Sequence, residues 1–179
     1  YSPIANAFLA DSSNQFTLPL DLPARFGGID EPGIQHTTTF QQGRGGYSGT
    51  RDTFLSAAAP TTGNASVSGL WVDGDAGTAS AVQPRQALLR FDDLFGVSRI
   101  PVDAVIDSAT LALRTSTTPN SHSADAMSLV RMLGAWSDSS TWNSLEGGVT
   151  ADGTEAILAP NATFIPAVNG GVLSMDVTE

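Results

Sequence analysis

The chain has 179 residues, a mass of 18.5 kDa, 18 acidic side chains against 8 basic ones, a net charge of -10 and a pI near 4.3. This balance excludes a nucleic-acid binder, whose phosphate contacts need clustered cations, and a protein that docks on an anionic membrane surface. Hydrophobic residues make up 41% of the chain, enough for one domain with its own core, yet no apolar run nears the ~20 residues of a spanning helix.

Residues 1–33 stand apart. They carry four prolines and no long periodic pattern. Within them Phe16, Leu18, Leu20 and Leu22 alternate along one side. Pro19 and Pro23 cannot donate to a ladder, so an edge strand or an extended arm is expected here rather than a central strand. From Ile34 onward, short Thr/Val/Leu/Ile/Phe runs are separated by Gly, Pro, Asn and Asp clusters. The pattern predicts strands over 34–42, 50–57, 65–73, 86–94, 104–116, 126–134, 155–158, 162–168 and 171–178. Ala109, Leu111 and Leu113 share one face of the clearest run. Leu173, Met175 and Val177 alternate with Ser174, Asp176 and Thr178 in another. Asp93 to Gly96 is expected to make a single helical turn. No longer helical periodicity occurs, and no fixed-period repeat. Nine short strands with little helix predict a sandwich or barrel of antiparallel sheets.

The chain lacks both cysteine and lysine, and all eight cations are arginine. That excludes disulfides, thiolate catalysis, the usual zinc sites, Schiff-base chemistry and a P-loop lysine. The histidines are His36, in a Thr-rich strand, and His122, in a Ser/Asn-rich loop. Gly46-Tyr-Ser-Gly49 lacks the spacing of a nucleophile elbow, and nothing singles out a pair among the acids for glycoside hydrolysis. The expectation is a protein that is not an enzyme. A lysine-free, acidic surface rich in Thr, Ser, Gly and Ala suits an exported, extracellular protein. Tyr1 to Ala10 has neither a cationic start nor a long apolar core, so any export signal is expected to have been removed.

Three features could carry binding. Asp73 and Asp75, in the glycine-rich turn Val72-Asp-Gly-Asp-Ala-Gly-Thr78, are hard oxygen donors of the kind calcium takes, although the segment fails as an EF-hand and a plain hairpin turn accounts for the same residues. Tyr47, Trp71, Trp136 and Trp142 are the flat side chains available for stacking on sugar rings, or for anchoring the core. Tyr47, in Gly43-Arg-Gly-Gly-Tyr-Ser-Gly49, is expected to be the exposed one. Arg90 shares a strand face with Leu88 and Asp92, and should be paired with a carboxylate for structural reasons; the same argument covers Arg131. Asn64-Ala-Ser66 and Asn161-Ala-Thr163 match the N-glycosylation pattern.

Four phrases occur together in order: Thr39-Phe-Gln-Gln-Gly-Arg-Gly-Gly-Tyr-Ser-Gly-Thr-Arg-Asp-Thr-Phe-Leu55; Ala87-Leu-Leu-Arg-Phe-Asp-Asp-Leu-Phe-Gly96 with Ile100-Pro and Ile106-Asp-Ser-Ala-Thr-Leu111; Trp136-Ser-Asp-Ser-Ser-Thr-Trp-Asn143; and Leu173-Ser-Met-Asp-Val-Thr178. As a set, over residues 36–179, they resemble the bacterial DNRLRE domain, which is related to carbohydrate-binding module family 96. The resemblance implies a jelly-roll-like antiparallel β-sandwich over 34–179, without catalysis, on secreted proteins, some of whose relatives bind acidic glycans. It also implies a further strand after the Asp-Val-Thr segment, where this sequence stops at Glu179, and it leaves the arm, 1–33, without a counterpart.

Two functions follow as expectations. One is a secreted module that binds polysaccharide through Tyr47, Trp71, Trp136 or Trp142, with calcium at Asp73 and Asp75. The other is a structural subunit of an extracellular filament or sheath. In that case copies of the chain join by donating a strand that carries Phe16, Leu18, Leu20 and Leu22.

Overall fold

Among the described residues, every regular element but one is a strand. The computed structural model describes residues 9–10, 15–22, 34–74 and 83–178. Its strands are β1 (Leu9–Ala10), β2 (Gln15–Leu22), β3 (Ile34–Gln41), β4 (Thr50–Ser56), β5 (Gly69–Leu70), β6 (Arg85–Phe91), β7 (Val105–Ile106), β8 (Thr110–Arg114), β9 (Met127–Leu129), β10 (Ala162–Phe164) and β11 (Val172–Asp176). A single 3-10 turn covers Asn143–Leu145. All the ladders are antiparallel: a five-stranded sheet with path β11-β8-β2-β3 and β7 beside β2, and two-stranded sheets β4-β6, β9-β10 and β1-β5.

The expected strands from 34 onward reappear except 155–158, where Ala156 makes only an isolated bridge to Met132, and most are shortened at their ends. Three more expectations are corrected. The run 104–116 is broken into β7 and β8. Asp93 to Gly96 makes no helical turn: Asp93 has φ 54°, and Phe95 bridges Ile100. And β2 is not an edge. Its backbone pairs with β3 along its whole length, Phe16 with Phe40, Leu18 with Thr38, Leu20 with His36 and Leu22 with Ile34. On its other side β8 covers only Gln15–Thr17 and β7 only Leu20–Asp21. Leu18 and Pro19 therefore have a ladder partner on one side alone. A proline is tolerated at such an interruption, since a ladder that is already broken loses nothing to a missing N–H.

Alternation sends side chains from these sheets into three clusters. Leu70, Leu111, Leu113 and Met175 form one, joined by Phe54, Ala87, Leu89 and Phe91 of β4 and β6 and by Leu129, Ala162 and Phe164 of β9 and β10. Leu55, Leu88, Val149 and Ala156 form the second, with Val130, Met132, Trp136, Trp142 and Leu145. Phe40, Tyr47, Ile100 and Ala109 form the third. β6 thus buries both faces, Ala87 and Leu89 toward the first cluster and Leu88 toward the second.

Candidate functional site

The aromatic residues do not share a surface. Tyr47, expected to be exposed, is buried: glycines with positive φ at 43, 45 and 46 fold the loop back, Tyr47 N–H donates to the Arg44 carbonyl, and the ring meets Phe40 edge-on at 5.2 Å. Its hydroxyl donates to the Asp92 carbonyl at 2.9 Å, and burial pushes its pKa upward, with the Asp92 charge adding to this. Trp136 and Trp142 are half-buried in the second cluster and anchor the loop between them. That loop is ordered by its own hydroxyls: Ser137 N–H donates to Ser140 Oγ, and Thr141 and Ser144 cap one another. Trp71 is 57% exposed.

Three of the four rings carry an arginine on a face: Arg85 on Trp71 at 4.9 Å, Arg90 on Trp136 at 5.0 Å and Arg99 on Tyr47 at 5.8 Å. Such a guanidinium is drawn to the ring quadrupole and takes the face a sugar would need. Arg90 does have its carboxylate. Nε and Nη2 donate to the two oxygens of Asp92 at 2.6 and 3.2 Å, and Nη1 donates to the Trp136 carbonyl at 3.1 Å. The pair lies at the surface rather than in the core. Hydrogen bonds from Arg90 hold the Asp92 carboxyl below the usual range.

Asp73 is tied by its backbone to Arg85, with both N–H groups donating across the bridge, and Asp75 lies outside the described residues. Among the described residues no three acids or histidines gather where a metal could sit. His122 bonds Asn169, and Asn64 Nδ2 donates inward to the Phe54 carbonyl at 2.7 Å. Asp52 is partly buried, and burial followed by the nearby charge of Asp138 raises its pKa.

The best-formed concavity was not foreseen. A cavity of about 460 Å³ lies between β6 and the segment 128–136, floored by Leu111, Leu113 and Val177. One wall is the outer edge of β6, the other the segment that continues from β9. Ala57 N–H donates to Pro84 and Asp92 N–H to Gly49, so the even residues of β6 face β4 and the odd residues face away. Arg85 uses that outer edge to bond Asp73. Ala87 and Leu89 follow on the same edge, and their N–H and C=O groups have no partner among the described residues. Opposite, the Arg131 carbonyl accepts from Ile157 and Leu133 N–H donates to Glu155, which turns the main-chain groups of Val130 and Met132 toward the cavity. These too have no partner among the described residues. No sequence signal marks such a site, because it consists of missing pairings between segments 40 residues apart.

No family model, curated protein or solved structure matches the chain.

Proposed function

We propose that this chain is a non-catalytic, jelly-roll-like β-sandwich module of an extracellular protein, and that it works in assembly by accepting an extended polypeptide strand into the cleft between β6 and residues 128–136. One observation carries the reading: the outer edge of β6 at Ala87 and Leu89 and the segment after β9 at Val130 and Met132 line the same largely apolar cavity with main-chain groups that have no partner among the described residues. These four residues are half-buried, and main-chain groups without a protein partner are a template for pairing with another chain. A strand laid between the edges satisfies all four residues and fills the cavity with side chains, as in β-augmentation. The meeting of β4/β6 side chains with those of β8 and β11 in one cluster supports the sandwich. The segment expected to be donated, Gln15–Leu22, has its backbone engaged within its own chain, so the site of assembly moves from that strand to the cleft.

Polysaccharide binding stands second, favoured by the exposure of Trp71. Hydrogen exchange separates the two. An extended apolar peptide should slow exchange at the Ala87 and Leu89 amides, and a glycan screen with and without calcium should be silent. The assembly reading fails if no peptide protects those amides, or if a glycan binds and Trp71→Ala abolishes it.

A further inference from the structure

Resting on that strand-accepting reading, we infer that the occupant is a near-continuous apolar run of four or five residues, supplied by a different polypeptide and running antiparallel to β6. The first part follows from the two faces of the cleft. Successive residues of a strand in the plane of β6 point to opposite sides. On one side they would meet Ala87, Leu89, Leu111 and Leu113, and on the other Leu88, Val149 and Trp136. Between Gln86 and Arg90 both sides are mainly apolar, so a polar residue there would face hydrocarbon on either set of positions. Strands covered on both faces read as continuous apolar runs rather than alternating ones.

The length follows from what closes the open edge. Arg85 is bonded to Asp73 at one end. Arg90, held by Asp92 and the Trp136 carbonyl, closes the other.

Direction follows from register. Leu88 clusters with Val130 and Met132, while Arg90, two residues on, reaches Trp136. The two edges therefore advance in the same direction, as alternate strands of an antiparallel sheet do. The ladders between strands among the described residues are antiparallel, and that pairing is the more stable one per residue.

The source follows from the sequence. Only Ala7–Ala10 and Ala156–Ala159 contain four consecutive residues from Ala, Val, Ile, Leu, Met, Phe, Trp and Tyr. Leu9–Ala10 pairs with Gly69–Leu70, and Ala156 and Ile157 are tied to Arg131 and Met132. Residues 1–179 of a second copy in this fold therefore have no such run to spare.

The test uses the full chain and four short capped peptides flanked by Ser-Gly. One has a Val-Leu-Val-Val centre, one alternates Val with Ser, one is the first with its central amides N-methylated, and one is the first with a paramagnetic tag at its N-terminus. The continuous peptide should bind at least tenfold more tightly than the alternating one. The N-methylated peptide should lose binding, and the tag should broaden the Arg90 amide signal more than that of Gln86. Equal binding of the alternating peptide overturns the apolar run while leaving strand acceptance standing. Undiminished binding of the N-methylated peptide, or no binding of any peptide, overturns strand acceptance itself. Stronger broadening at Gln86 overturns the direction. A solution mass that doubles without peptide, and returns to that of one chain when the continuous peptide is added, makes the occupant a second copy and overturns the source.

Discussion

Two carboxylates show how opposite surroundings give opposite dependence on pH. Asp92 accepts from Arg90 and forms an ion pair with Arg51 at 3.6 Å, and its lowered pKa means that its contribution to stability is present above the usual carboxylate range and is lost as acid protonates it. Asp52 behaves in reverse. Burial and the charge of Asp138 raise its pKa, so the folded chain holds that proton more tightly than the unfolded one. The neutral form suits the fold, and stability falls as pH rises from the ordinary carboxylate value through the raised one. Asp52→Asn keeps the shape and removes the charge. With a discount for a half-exposed site, the variant should gain about 1–3 °C in Tm at pH 7 and nothing near pH 3. Thermal unfolding at the two pH values checks this. A gain independent of pH would mean that the benefit is not electrostatic.

At the scale of elements, the start of the β4-β6 pair depends on Gly49. A Cβ there would run into the Asp92 carbonyl and come within 2.8 Å of the Tyr47 hydroxyl, the same two groups that bond each other. Gly49→Ala should cost about 1–3 kcal/mol, the range for overpacking. Denaturant unfolding would show this as a lower midpoint with an unchanged slope, whereas an unchanged midpoint would show that the turn can shift. The elements were unevenly legible in the sequence. Alternation marks Thr110–Arg114 and Val172–Asp176 because each buries one face and wets the other. It misplaces β2 because Pro19 argues against a central strand, and only the tertiary arrangement interrupts the ladder beside it. Glycines around Tyr47 suggest an exposed loop tip, yet their positive φ values turn the ring inward. Arg90 and Asp92, two apart on one strand face, were legible as a pair. The cleft was not, since each of its walls reads locally as an ordinary strand.

For the whole molecule, the cleft matters because it lies between two of the three apolar clusters. Leu88 belongs to one and Leu89 to the other, and each side can open locally where main-chain pairing stops. A bound strand would bridge the two. Ligand binding of any kind stabilises by mass action, about 2.7 kcal/mol at one hundred times Kd. For a chain of this size that is roughly 5–10 °C in Tm, whichever site is filled. The heat capacity of binding separates the sites. Filling an apolar cleft removes hydrocarbon surface from water and gives a clearly negative value. A ligand resting on Trp71, whose ring already carries Arg85, removes little. Calorimetry with the continuous apolar peptide over a range of temperatures should therefore show binding enthalpy falling steeply with temperature, alongside the rise in Tm. A rise in Tm with a flat enthalpy would place the ligand on the surface and leave the cleft empty.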